Sequence, residues 1–325
     1  MKLDATIACD PATGAQLAAE LEADGYDGVW TAETQHDAFL PLAAAAVSTS
    51  RVTLGTAIAT AFTRSPMVTA MAAWDLQRAS RGRFVLGLGT QVRAHNVRRF
   101  SVPWEAPAPR LRELVEALRH IWGAFQGEHP LRFRGQFYRH DLMTPFFDPG
   151  PIDYPPPPIY LAAVTPTMYR LAGEVADGIH VHVFHTVRYL REVALPALGE
   201  RRSELTLASG VFVVLGGDAD AVRMQIAFYG STPTYRPVFE VHGWDGLQEK
   251  LHGLMGRGDF AGMAAAIDDD VLAEFAVLAD SWDDAARQVH ERYDGLLDRV
   301  GVYGLRSAVG DEAKEIAAAF GRSVP

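Results

Sequence analysis

Arg83-Phe84-Val85-Leu86-Gly87-Leu88-Gly89 carries no polar side chain after its first residue. A strand with one solvated face alternates polar and apolar residues. This run therefore predicts a strand covered by helices on both sides, as in a parallel sheet. Seven further strand-length runs accompany it: Leu3–Cys9, Gly28–Ala32 and Val52–Ala59 before it, and Pro158–Ala163, Gly178–Val183, Leu207–Gly216 and Leu297–Tyr303 after it. Helical stretches separate them. A strand followed by a helix, eight times over, predicts the α/β class and a (β/α)8 TIM barrel.

Helix starts support that count. Asp10-Pro11, Ser65-Pro66 and Thr165-Pro166 each set an N-cap oxygen before a proline whose fixed φ suits the first helical turn, and each follows a strand directly. Leu111, Leu114, Val115, Leu118, Ile121 and Trp122 form one apolar face of a helix from about Pro109 to Ala124. Two stretches interrupt the rhythm, about 91–157 and 230–280. In a barrel of this kind insertions extend the loops after strands, so both are expected at the C-terminal face, as a substrate lid on a single domain spanning 1–325. Pro155-Pro156-Pro157-Pro158 reads as a stiff lead-in to the fifth strand.

The 325 residues are 48% hydrophobic and 22% charged, an ordinary globular composition. Chains of this length bury roughly three quarters of their extended surface, so the core needs no disulfide. Cys9 is the only cysteine, which excludes an intrachain bridge, zinc fingers and iron–sulfur clusters, and fits a reducing compartment. Thirty basic against forty acidic residues give a formal charge of −10, which repels nucleic acid and anionic membranes. No window approaches the ~20 apolar residues of a membrane span. Met1-Lys2-Leu3-Asp4 opens no cationic, apolar leader. The expectation is a cytoplasmic protein acting on a small molecule, with no nucleic acid or membrane partner.

Four polar groups lie at strand ends. After the second strand come Glu33, Thr34, Gln35, His36 and Asp37. One reading is general acid/base work by Glu33 and His36 near a bound ring, the other a helix cap by Asp37 beside a satisfied histidine. Gly87-Leu88-Gly89-Thr90-Gln91, running on to His95 and Asn96, offers backbone N–H groups and a hydroxyl to an anion, or is a tight barrel turn. Val92 stands where a dinucleotide fingerprint needs its third glycine. Ala162-Ala163-Val164-Thr165-Pro166 leads into a capped helix whose N-terminus favours phosphate, or is capping alone. His180 and His182 share one strand face and are followed by His185. A barrel zinc site needs carboxylates and histidines from other strands as well, and no second cluster is equally clear, so no metal is expected.

In combination, Tyr26-Asp27-Gly28-Val29-Trp30-Thr31-Ala32-Glu33, Ser50–Ile58 and Arg81–Thr90 resemble the bacterial luciferase-like monooxygenase family. The resemblance continues through Pro158–Ala163, Leu171–Gly178 and Leu297–Tyr303, covering most of the chain except 225–275. Within the family the chain is similar to the branch that uses the deazaflavin coenzyme F420. The resemblance implies an oxidoreductase holding a flavin-type ring at the barrel mouth, with hydride moving between ring and a small organic substrate. It implies cofactor binding by Thr90 and Gln91, by Ala163, Val164 and Thr165, and by Arg64 in the segment that also carries Pro66. It implies a non-prolyl cis peptide at Ala57–Ile58, or one of the next two bonds, against the ring. F420-linked relatives often place a histidine directly after the acidic residue ending the second strand, where this chain has Thr34, with His36 two places on. The acid some members carry after the fourth strand is replaced around Val92 and Arg93. The resemblance also implies a homodimer, for which Met67, Met71 and Trp74 lie at helical spacing.

Alternatives remain at this stage. An FMN-dependent monooxygenase of the same family would use reduced flavin and oxygen, chemistry a deazaflavin does not readily support because carbon replaces the reacting ring nitrogen. The histidine group leaves open a metal-dependent hydrolase, and a barrel kept as a non-catalytic cofactor carrier is a third reading.

Overall fold

The protein is described by a computed structural model, over residues 1–217, 219–304 and 309–322. Its strands are β1 Lys2–Ile7, β2 Gly28–Thr31, β3 Thr53–Thr56, β4 Ala59–Thr60, β5 Phe84–Gly89, β6 Phe133–Arg134, β7 Arg139–His140, β8 Ile159–Ala163, β9 Gly178–Val181, β10 Thr206–Leu215, β11 Ala276–Ala279 and β12 Arg299–Tyr303. Eight of them close a parallel barrel in the order β1-β2-β3-β5-β8-β9-β10-β12. All eight runs read from the sequence are present. Asp10, Ser65 and Thr165 cap the helices Pro11–Asp24, Pro66–Ala79 and Pro166–Val175 by accepting backbone N–H bonds. The helix expected near 109–124 spans Pro107–Phe125, with its apolar face fully buried.

Three differences carry information. The run Val52–Ala59 is two strands, β3 and β4, interrupted at the cis peptide Ala57–Ile58, with β4 pairing to the upper end of β5. β11 lies inside the second insertion. Its four apolar residues are too short a run to be told from buried helix by periodicity. It pairs with the upper half of β10, on the edge that β9 occupies lower down. Finally, much of 126–157 runs along the outer wall instead of over the mouth. The β6–β7 hairpin gives the Gln136, Phe137 and Tyr138 N–H groups to Glu113, and Trp74, Gln77 and Arg78 donate to the carbonyls of Gly150, Pro155 and Pro149.

The barrel lumen is partly polar. At its floor Arg299 forks onto Asp4 at 2.6 and 2.8 Å, both residues buried. The Trp30 ring lies 5.4 Å from that guanidinium and meets His180 edge-on at 4.8 Å. Missing side chains make the room: a Cβ on Gly55 would fall 2.3 Å from the Trp30 ring, and one on Gly87 only 1.8 Å from the Thr56 carbonyl oxygen.

Candidate active site

The C-terminal ends of the strands form the mouth. At the end of β2, Glu33 is held by Arg64, with Nη2 to Oε1 at 2.7 Å and Nη1 to Oε2 at 2.9 Å, and it also accepts the Thr60 N–H at 2.7 Å. Arg64 reaches Asp37 at 2.5 Å as well. Burial pulls the guanidinium pKa down, but the two carboxylates outweigh it and raise it. Burial likewise acts to raise Asp37, yet the Phe39 and Leu40 N–H groups and Arg64 together hold it below the usual carboxylate range. Asp37 thus secures the turn into the helix Leu40–Ser48, and His36 beside it is exposed.

Ala57 and Ile58 are stitched to this strand end. The Ala57 N–H donates to the Thr31 carbonyl at 2.6 Å, and the Ile58 carbonyl accepts from the Glu33 N–H at 3.0 Å. The cis bond between them falls at the first of the positions the resemblance implied.

Thr90 and Gln91 end β5. Gln91 takes a left-handed φ of 56°, which swings the chain out of the strand, and its Oε1 accepts the Val92 N–H. Asn96 fixes this turn by donating to the Thr90 and Val92 carbonyls. Arg99, in the π-helical turn His95–Arg99, donates to the Thr34 carbonyl and so ties the loops after β5 and β2 together. β8 is the barrel neighbour of β5, with Leu88 opposite Leu161, so Ala163, Val164 and Thr165 emerge beside Thr90. The Tyr189 hydroxyl donates to the Val164 carbonyl at 2.6 Å, and Thr165 opens the helix Pro166–Val175.

The residues read from the sequence therefore gather around one mouth: Glu33, His36, Ala57, Ile58 and Arg64 on one side, Thr90, Gln91, Ala163, Val164 and Thr165 on the next. Two buried oxygens in this wall, Thr60 Oγ1 and Asn96 Oδ1, have no hydrogen-bond partner among the described residues. Thr60 Oγ1 can donate and Asn96 Oδ1 can accept, and with a helix N-terminus adjoining, this set fits a ring cofactor with an anionic tail.

His180 and His182 face the lumen, but His180 sits between Trp30 and Tyr160. Among the described residues no group of three or more His, Cys, Asp or Glu is placed to hold a metal. Sequence reading missed Tyr229 and Tyr235, which pack against His182 at the mouth, and Tyr303, whose hydroxyl meets that of Tyr229. The available signal was the strand period, since Tyr303 follows the inward Arg299 by four residues.

Comparison with known proteins agrees with this architecture. The sequence profile of the luciferase-like monooxygenase family matches residues 4–299. An uncharacterized protein of Mycobacterium tuberculosis is 48% identical over 314 residues, 92% of each chain. The 5,10-methylenetetrahydromethanopterin reductase of Archaeoglobus fulgidus is 26% identical over 323 residues, covering 93% of this chain and 92% of the relative. Among solved structures, the coenzyme F420-dependent tetrahydromethanopterin reductase of Methanopyrus kandleri superposes with a TM-score of 0.76 at 23% identity, over 99% of this chain and 97% of that one.

Proposed function

The chain belongs to the luciferase-like monooxygenase family, and from that premise we propose that it is an F420-dependent oxidoreductase transferring a hydride between the deazaflavin ring and a small organic substrate. The observation that carries this reading is the adjacency of two strand-end turns, Thr90–Gln91 after β5 and Val164–Thr165 after β8, on neighbouring strands of one mouth. A relative from Mycobacterium tuberculosis, 30% identical over 311 residues, carries coenzyme F420-dependent oxidoreductase in its name and supports F420 over FMN.

When bound, the deazaflavin would supply or take the hydride. The chain's own residues do the rest. Thr90, Gln91 and the Ala163–Thr165 turn hold the cofactor, the helix N-terminus after Thr165 favouring its phosphate. Ala57 and Ile58 back its ring. Both Glu33 oxygens are engaged, so Glu33 positions the Ala57–Arg64 segment through Arg64, and the exposed His36 exchanges a proton with substrate.

Titration with F420 and with FMN, read by ring fluorescence, tests this. F420 is expected to bind more tightly. Equal affinities, or FMN-supported oxygen consumption, would favour the monooxygenase reading.

The same reading takes the protein as a cytoplasmic homodimer. Among the described residues no helix is long and apolar enough to cross a membrane. Of the three residues expected at a dimer face, Trp74 is buried against Phe125 and Met67 partly buried, while Met71 is exposed, with Val68 beside it. Leu142, Phe146 and Phe147, in the segment leading to that helix's outer contacts, are exposed too. A second copy of the chain is the proposed cover.

A further inference from the structure

His180 and Arg299 point into the lumen, so the period of two turns His182 and Tyr303 inward as well, one step and two steps nearer the mouth. The helix Asp220–Gly230 brings Tyr229 to them, and the short turn after it brings Tyr235. The His182 ring meets Tyr229 edge-on at 4.7 Å between centroids and Tyr235 at 5.0 Å. The hydroxyls of Tyr229 and Tyr303 lie 2.6 Å apart. Tyr303 in turn rests edge-on against Phe212 and over Gly210, where an added Cβ would come within 3.0 Å of its ring. All four ring residues of this box are partly exposed.

The hydrogen bonding of the box is directional. The Phe184 N–H donates to His182 Nδ1 at 3.0 Å, so the neutral imidazole carries its proton on Nε2. Desolvation by the rings packed around it, with His185 adding to the effect, keeps this imidazole neutral, its pKa pushed down to about 3. Among the described residues Nε2 has no acceptor. Two hydroxyls that share one hydrogen bond leave one proton over, so the Tyr229–Tyr303 pair also has a donor to spare. Tyr235 adds a third hydroxyl. The box therefore offers several donors and flat apolar walls, and none of its four rings is charged.

We propose that this box is a substrate subsite that binds the carbonyl oxygen of an uncharged, flat, unsaturated carbonyl compound, through His182 Nε2–H and the Tyr229–Tyr303 pair. A charged carboxylate is disfavoured because no box residue neutralises it on desolvation. The inference rests on the F420 reading only for what later happens to the carbonyl; binding in the box is separable from it.

The test uses the full chain labelled with nitrogen-15 histidine, without cofactor, and cyclohexenone as the probe, with cyclohexanecarboxylate as the charged comparator. The expected result is a neutral Nε2–H tautomer for His182 at neutral pH and a His182 resonance that moves with cyclohexenone but not with the carboxylate. His182→Phe, and separately Tyr229→Phe with Tyr303→Phe, should weaken cyclohexenone binding about tenfold, the loss of one useful hydrogen bond, while F420 affinity stays within about twofold. If His182→Phe does not fold, the tyrosine variants carry the test. An Nδ1–H or cationic His182, no response to cyclohexenone up to its solubility, unchanged affinity in the variants, or tighter carboxylate binding would overturn the proposal. Failure of F420 to bind would instead remove the cofactor reading and leave the probe result legible.

Discussion

Arg64 and Glu33 form a two-pronged ion pair at 2.7 and 2.9 Å that locks the segment after β3 to the end of β2, with both side chains largely shielded from solvent. Removing one partner leaves the other charge poorly solvated. Glu33→Gln is expected to cost about 2 kcal/mol in denaturant unfolding. Arg64→Lys keeps the charge but not the planar fork, and should lose a similar amount. F420 affinity should fall in both, because the segment they fix is the proposed backing of the ring. Unchanged stability in Glu33→Gln would remove the positioning role.

The two hydroxyls at neighbouring strand ends should act together. Thr90→Ala with Thr165→Ala is expected to weaken F420 binding by more than about tenfold, and by more than either change alone, since a hydrogen bond to a charged group contributes ~1.5–3 kcal/mol. Thr165 also caps its helix, so Thr165→Ser, which keeps both roles, is the control. Fluorescence titration that shows no change in the double variant counts against this cofactor site.

Acid should destabilise the protein well above the carboxylate range. Burial pushes His180 and His182 down to about 3 and His185 to about 4, against 6.5 for a free imidazole. Between pH 6.5 and 4 the unfolded chain therefore binds protons that the folded chain does not, so stability falls as pH falls. Each histidine contributes up to about 1.4 kcal/mol per pH unit in that window. Guanidinium melts at a series of pH values give the slope. His185→Phe should flatten it by about one proton, and a stability that is flat from pH 7 to 5 would contradict the burial of these rings.

Gly87→Ala should be among the most damaging single changes. Its Cβ would stand 1.8 Å from the Thr56 carbonyl and 2.7 Å from His180 Nε2, and a backbone atom in a barrel wall cannot swing aside. A cost of about 3 kcal/mol or more is expected, visible as lost soluble yield or a lowered Tm. A variant as stable as the parent would show that β3 and β5 are farther apart than described.

Sedimentation tests the dimer. The parent chain should run as two copies, and Met71→Asp with Phe147→Asp should run as one, with circular dichroism unchanged. A parent of 35 kDa at micromolar concentration would refute the assembly.

The barrel was legible because strands such as β2 and β5 are buried on both faces, which writes continuous apolar runs into the sequence, and because Asp10, Ser65 and Thr165 announce the helices that follow. The turns at Thr90 and Thr165 were legible as strand ends. What Glu33 does was not. Its partner Arg64 lies thirty-one positions away, and no local pattern distinguishes a carboxylate fixed by a distant guanidinium from one free to take a proton. The tyrosines around His182 were hidden for a related reason: Tyr229 arrives from the helix that leads into the second insertion and Tyr235 from a turn within it, so their meeting with β9 and β12 depends on packing that periodicity does not encode.

β11 gives the second insertion an unusual tether. Its last residue, Ala279, lies opposite Leu215 at the top of β10, and the Gly216 N–H donates to the Ala279 carbonyl. The chain thus leaves β10 and returns to the same spot on the same strand. Such an excursion behaves as an exchangeable cassette. Its ends are already closed by hydrogen bonds, so changing its length costs little chain entropy, and replacing it with the corresponding stretch of a homologue would revise the wall that carries Tyr235 while leaving the eight strands and the turns at Thr90 and Thr165 untouched. Divergence of substrate range within one unaltered barrel is the outcome that arrangement permits.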